Sequence, residues 1–166
     1  SDPGYYEHAW NDPRTIGRAA VVEIVDNEPR VIGAAYAQLM TGQQTRGLAT
    51  VCREELAGQP GTNPELDDTL TALQHANKVV FLCAITVDPD SRRRGFARAL
   101  VTSRRQLLEL SGCDVIWADA WERAADISSA PMFERLGWLG ITRVENLWIR
   151  LAEATGEPCP QEIGRA

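Results

Sequence analysis

Between Val79 and Ala97 the chain passes from an apolar run, VVFLCAITV, through Asp88-Pro89-Asp90 into Ser91-Arg92-Arg93-Arg94-Gly95 and then into a helical pattern. A strand that feeds a helix through a glycine-containing turn builds an anion site. The N–H groups of the first helical turn have no intrahelical partner and lie at the positive end of the macrodipole, where a phosphate or pyrophosphate satisfies them. Gly95 lets a ligand approach the backbone closely. Arg92, Arg93, Arg94 and Arg98 cluster at the same place, with Arg104 and Arg105 further along the helix, and a guanidinium donates bidentately to phosphate oxygens. A solvated basic face is the plain alternative use of these arginines. Nucleic acid is a poorer one, because the chain carries a net charge of −6 and the run has no interleaved aromatics.

Arg92-Arg93-Arg94-Gly95-Phe96-Ala97, following Ile85-Thr86-Val87-Asp88-Pro89, resembles the acetyl-CoA signature (Gln/Arg)-x-x-Gly-x-(Gly/Ala) of the GNAT N-acetyltransferase superfamily. A second apolar run, Asp114–Trp121, comes after the helix. Asp126-Ile127-Ser128-Ser129-Ala130-Pro131-Met132-Phe133-Glu134-Arg135-Leu136-Gly137-Trp138 is then similar to that family's late helix and turn. The resemblance implies a mixed, twisted α/β sheet with a central splayed parallel strand pair and flanking helices. It also implies acetyl-CoA as cosubstrate, no metal, and transfer of an acetyl group to a primary amine of a small molecule or a protein by direct attack.

By the same resemblance, the backbone of Ile85 and Val87 holds the pantetheine arm, and the amide of Val87 or its immediate neighbour polarises the thioester carbonyl. The N–H groups of Arg93, Arg94, Gly95, Phe96 and Ala97 take the pyrophosphate, with Arg92 and Arg98 beside them. Asp126 and Phe133 occupy positions that the family fills with asparagine and with the tyrosine acid, and phenylalanine has no proton to donate. Direct attack needs a neutral amine, hence a base. Asp119 and Glu122, at the end of the second apolar run, are the candidates, with Tyr36 and His75 as outsiders. Each also has a structural explanation: a strand-end acceptor, a solvated loop carboxylate, or a core tyrosine with its hydroxyl reaching out. The departures at Asp126 and Phe133 motivate a second reading, a non-catalytic CoA-binding, sensing or interaction domain.

The elements that must position these residues follow from periodicity and turn chemistry. Ala19–Val25 and Arg30–Met40, separated by Asp26-Asn27-Glu28-Pro29, read as an antiparallel hairpin. Gln43–Ala57 carries Leu48, Val51, Cys52 and Leu56 at helical spacing. Asn63-Pro64 with Glu65, Asp67 and Asp68 predicts a second helix, reaching about Ala76. This helical insertion, about residues 42–77, departs from the short turn that the resembled family has there. Residues 1–18 read as an irregular segment, too short for the strand and helices that normally precede the hairpin. A truncated amino end and inserted helices that cover the acceptor side in their place are the two explanations. Phe96–Ser111 is a sheet-covering helix stopped by Gly112. Leu139–Val144 and Leu147–Ala152, divided by Glu145-Asn146, read as a closing hairpin, and residues 153–166 as a tail after a domain spanning 19–152.

The whole has 166 residues, 44% of them apolar, which suits one enzyme-sized domain. No apolar run approaches the roughly 20 residues that a bilayer span needs, and the amino terminus lacks the regions of a signal peptide. The expectation is a cytoplasmic protein without a membrane partner, compatible with a homodimer. Cys52, Cys83, Cys113 and Cys159 form no CxxC pair, which speaks against zinc and against a disulfide framework.

Overall fold

Val79–Val87 is apolar at nearly every position, the pattern of a strand covered on both faces, and the fold is arranged around it. The computed structural model describes residues 3–59, 61, 63–120, 122–124 and 127–156. In chain order these form α1 (Pro3–Asn11), β1 (Thr15–Val25), β2 (Glu28–Leu39), α2 (Gly42–Ala57), α3 (Pro64–His75), β3 (Val79–Val87), α4 (Phe96–Leu110), β4 (Val115–Trp117), β5 (Glu122–Ala124), β6 (Ile127–Ser128), α5 (Ala130–Arg135) and α6 (Leu147–Thr155). One sheet has the order β1-β2-β3-β4, and β5 and β6 form a separate small hairpin. The β1–β2 and β2–β3 pairs are antiparallel, while β3 and β4 run parallel. This is the mixed sheet with flanking helices that the sequence predicts.

Alternation along β3 divides the core. Val80 and Leu82 join Val101 and Leu108 of α4 and Phe133 of α5 on one face. Val79 and Phe81 face Leu48 and Cys52 of α2, Leu70 and Leu73 of α3, and Trp148 and Leu151 of α6. Burying a leucine or valine contributes about 1.5–3 kcal/mol, whereas an exposed ion pair such as Arg53–Asp67 at 2.8 Å, which links α2 to α3, adds about 0–1 kcal/mol. Apolar contact therefore decides where the inserted helices dock. Burial also pushes the Cys52 thiol up to about 11, so it behaves as a small neutral hydrophobe.

Local signals start both inserted helices. Thr41 and Gln44 form a capping box, with Gln44 N–H donating to Thr41 Oγ1 at 3.1 Å and Thr41 N–H to Gln44 Oε1 at 3.0 Å. Asn63 Oδ1 accepts from Glu65 N–H at 3.0 Å ahead of Pro64.

Three sequence expectations are corrected. The amino segment is not irregular: α1 is helical, and β1 begins at Thr15, whose hydroxyl donates to Ala9 O. The second apolar run forms a strand only over Val115–Trp117, because its ladder to β3 ends there. The closing hairpin is absent: 139–144 is irregular, and Leu147–Thr155 is helical. Its buried positions, Trp148, Leu151 and Thr155, fall on one helical face, while Ile149 is half exposed. Asn146 and Gly156, both left-handed, bound it.

α2 crosses α6 at Gly47. A Cβ there would lie 2.6 Å from Thr155 Cγ2 and 3.2 Å from Leu151 Cδ1, and β-branched Thr155 has little freedom to yield. Gly47→Ala is expected to destabilise the protein by about 1–2 kcal/mol, overpacking outweighing the helix-propensity gain. Gly47→Leu should cost more, and urea unfolding measures both. The parallel pair is pinned by Asp114, whose Oδ2 accepts from Asn77 N–H at 2.8 Å and Lys78 N–H at 3.0 Å. The Lys78 and then the Asn77 amide hold its carboxyl below the ordinary value. Because the folded-state pKa is depressed, this stabilisation is present above the unfolded value near 3.9 and is lost as the pH falls through the folded one. Asp114→Ala should lower the unfolding midpoint at pH 7, and the difference from the unsubstituted protein should shrink below about pH 4.

Candidate active site

The parallel ladder between β3 and β4 has the rungs Val79–Val115, Val80–Ile116 and Phe81–Trp117. β3 continues to Val87 while β4 stops, so the strands part beyond Phe81 and Trp117. On its other side β3 stays bound to β2, with one irregularity: Tyr36 pairs with Ala84 and Ala37 with Leu82, leaving Cys83 as an extra residue. A bulge of this kind bends the strand that carries it.

Which backbone groups face the gap follows from the antiparallel ladder. Asp88 N–H donates to Ile32 O at 2.7 Å, and successive residues of a strand direct their amide and carbonyl to opposite edges. The N–H and C=O of Ile85 and Val87 therefore lie on the edge away from β2. Arg92 Nε donates to Val87 O from that side at 3.4 Å. An extended ligand lying in the gap meets a row of strand donors and acceptors.

β3 runs directly into the arginine turn. Asp88 caps Pro89–Ser91, its Oδ1 accepting from Asp90 N–H at 3.1 Å while its Oδ2 takes Arg30 Nη2 at 2.8 Å. The Asp90 amide, followed by Arg30, keeps the Asp88 carboxyl below the ordinary range. Arg93 sits at φ 63° and Gly95 at φ 84°, a left-handed conformation that costs a residue with a Cβ about 1–2 kcal/mol. Nothing lies within 4 Å of a Cβ built on Gly95, so the glycine serves the turn and leaves open space above it. The first hydrogen bond of α4 runs from Ala99 N–H to Gly95 O at 3.0 Å, and no side chain caps the helix. The N–H groups of Phe96, Ala97 and Arg98 thus have no partner within α4. Arg94 lies over the Phe96 ring at 4.9 Å and 3.7 Å from Glu23. Arg92, Arg93 and Arg98 are exposed around the turn.

The candidate bases lie on different elements. Asp119 lies two residues beyond the last parallel rung, half-buried, and its Oδ2 accepts from Trp148 Nε1–H at 2.9 Å. Glu122 opens β5, opposite Ser128. Asp126 lies outside the described residues. Tyr36 is buried with Trp10 edge-on at 6.2 Å. His75 is exposed at the end of α3. Phe133 is 8% exposed, in the apolar cluster beneath α4 and edge-on to Trp138 at 5.2 Å.

Trp148, in a segment whose residue pattern predicts a strand, lies on α6. Its ring closes an aromatic group at the root of the fork, 5.0 Å from Phe81 and 5.8 Å from Trp117. A cavity of about 20 Å³ opens there between Arg14, Gln38, Gln44, Phe81 and Trp148, room for about one water molecule. Among the described residues, no three His, Cys, Asp or Glu side chains gather as a metal site, and no helix is long and apolar enough to cross a membrane.

A family model described as Acetyltransferase (GNAT) family matches residues 2–138. No curated protein matches the chain. Among solved structures, a tetramutant of the BH1408 protein from Bacillus halodurans superposes with a TM-score of 0.53 at 14% identity, covering 88% of this chain and 73% of its own. Aminoglycoside N-acetyltransferase AAC(6')-Iy in complex with CoA gives 0.47 at 20% identity, covering 84% and 78%. Aminoglycoside 6'-N-acetyltransferase AAC(6')-IG from Acinetobacter haemolyticus gives 0.46 at 16%, covering 86% and 74%. At 14% identity the likeness to the BH1408 protein is one of fold alone. The family match runs through the sheet, the arginine turn and the helices on either side of it, and the chain belongs to the GNAT acetyltransferase family.

Proposed function

We propose that this chain is an acetyl-CoA-dependent N-acetyltransferase that moves the acetyl group to a primary amine by direct attack. The observation that carries the reading is the continuity of two features on one strand. The outward-facing amides and carbonyls of Ile85 and Val87 lead, within a few residues, to the uncapped N–H groups of Phe96, Ala97 and Arg98. An extended polyamide arm ending in a pyrophosphate matches that succession of strand edge and helix start.

In this reading Ile85 and Val87 pair with the pantetheine amides. The backbone of Arg93–Ala97 holds the pyrophosphate, while Arg92, Arg93, Arg94 and Arg98 complement the phosphate charge. The cosubstrate supplies an activated thioester. The Val87 amide, or its immediate neighbour, donates to the carbonyl oxygen as negative charge grows there. Asp119 takes the proton of the attacking amine, directly or through water, with Glu122 as the alternative base. Phe133 cannot protonate the departing thiolate, so solvent does so. Asp126 remains a candidate cofactor contact by family position. The inserted helices, docked beside the fork on the face of Phe81 and Trp117, cover the acceptor side. The cytoplasm is the expected setting, and a homodimer the expected assembly if any.

A second reading, a CoA-binding module without transfer, is favoured by one observation: the position of the family's tyrosine acid holds a phenylalanine packed into the core.

Acetyl-CoA at about 100-fold over its Kd should add roughly 2.7 kcal/mol of apparent stability and raise the thermal midpoint by about 5–10 °C, whereas ATP at equal concentration should not. Gly95→Val, which forces a branched side chain into a left-handed turn beside the pyrophosphate, should weaken acetyl-CoA at least about tenfold by calorimetry. On an amine that accepts acetyl, Asp119→Asn should lower kcat by about 100-fold or more while KM for acetyl-CoA stays unchanged. A midpoint shift with no transfer across a panel of a polyamine, an aminoglycoside and a lysine peptide would select the binding module instead.

A further inference from the structure

β1 ends the sheet order, and among the described residues no strand pairs with its outer edge. Which of its backbone groups face that edge follows from β2. Leu39 N–H donates to Arg14 O at 3.1 Å, while Ile32 O, on the opposite edge of β2, accepts from Asp88 N–H at 2.7 Å. Gly33 and Ala35 are therefore directed at β1, where they pair with Val21 and Ala19. By alternation, the N–H and C=O of Ala20, Val22 and Ile24 point outward.

The open run has defined ends. On one side Arg104 Nη1 donates to Gly17 O at 3.1 Å and to Arg18 O at 3.3 Å, at the irregularity between Ile16 and Ala19. On the other side the chain turns at Asp26 and Asn27, both left-handed. Val22 is the midpoint of what remains, residues 19–25. Edges are commonly kept single by proline and lysine, and this run has neither; its one charged residue, Glu23, lies 3.7 Å from Arg94. The side chains that it turns to solvent are apolar. Val22 is 49% exposed and Ile24 67%, and Val31, opposite Val22 on β2, is 62% exposed.

We propose that this edge is the interface between two copies of the chain, paired antiparallel across a two-fold axis at Val22 so that two sheets become one. The register carries the argument. With Val22 opposite the partner's Val22, Ala20 falls opposite the partner's Ile24 and Ile24 opposite the partner's Ala20. The outward groups then exchange hydrogen bonds, and a small side chain meets a large one. In the same register Arg18 stands opposite the partner's Asp26 at each end of the ladder, and both residues are exposed. Pairing centred on Val21 would set Ile24 against the partner's Arg18, whose carbonyl Arg104 already occupies. Pairing centred on Glu23 would oppose two like charges. The two-fold pair is closed: it consumes the long edge, and the other edge of the sheet, β4, has only three residues. The inference stands apart from acetyl transfer, and its test reads no activity.

Sedimentation equilibrium of the full chain at micromolar concentration should give twice the monomer mass. Val22→Lys sets like charges against each other at the axis and should weaken association at least about tenfold, with the circular dichroism of the folded chain retained. Val22→Cys places a thiol beside its own copy and should cross-link under mild oxidation faster than the unsubstituted protein. Ile24→Cys should not, because its copies lie at opposite ends of the ladder. A monomeric protein overturns the proposal, as does a dimer of unchanged affinity in Val22→Lys. Cross-linking through Ile24→Cys but not Val22→Cys overturns the register, and sedimentation as larger polymers overturns the closed pair. The cysteine variants decide the matter even where Val22→Lys fails to fold.

Discussion

The constraint on which the rest depends is that β3 has a full partner on one side and three rungs on the other. β2 follows it from Val80 to Val87, while β4 leaves after Phe81 and Trp117. Unpaired strand groups away from water are costly, so a gap of this kind persists only where solvent or a ligand can reach it. The bulge at Cys83 bends β3 within the same stretch. α4 packs on one face of β3, and α2, α3 and α6 pack on the other.

Charge is arranged around the fork in layers. The chain is acidic overall, yet the end of β3 meets a turn of arginines. Glu23 engages Arg94 and Asp88 engages Arg30, while Arg92, Arg93 and Arg98 are exposed around the helix start. Beyond the last rung of β4, Asp119 accepts from the Trp148 indole N–H at 2.9 Å.

Much of this was legible in the residues. β3, its turn and α4 follow from an unbroken apolar run, a φ-permissive glycine and clustered arginines; α2 and α3 follow from their caps. The elements that escaped did so for identifiable reasons. Pro3 and Gly4 suggest a breaker, but proline is tolerated in a first helical turn, and α1 begins at Pro3. In α6, Leu147, Ile149 and Leu151 satisfy a period of two as well as Trp148, Leu151 and Thr155 satisfy a helical one, and only docking on α2 decides between them. The Cys83 bulge leaves no trace in composition. The Trp148–Asp119 bond joins residues 29 apart through a donor that carries no charge signature.

The crossing of α2 and α6 has a consequence for how the molecule is made. Gly47 against Thr155, Gln43 donating to Thr155 O, and Glu54 and Glu55 holding Arg150 all join residues about a hundred positions apart. During vectorial synthesis the amino-terminal elements emerge first, and α2 can fold and meet β3 well before its other neighbour exists. Until Leu147–Thr155 leaves the ribosome, Leu48, Cys52 and Phe81 present an apolar surface with part of its cover missing. Nascent chains paused between α5 and α6 would be the ones that chaperones recognise, and release of α6 would cover that surface.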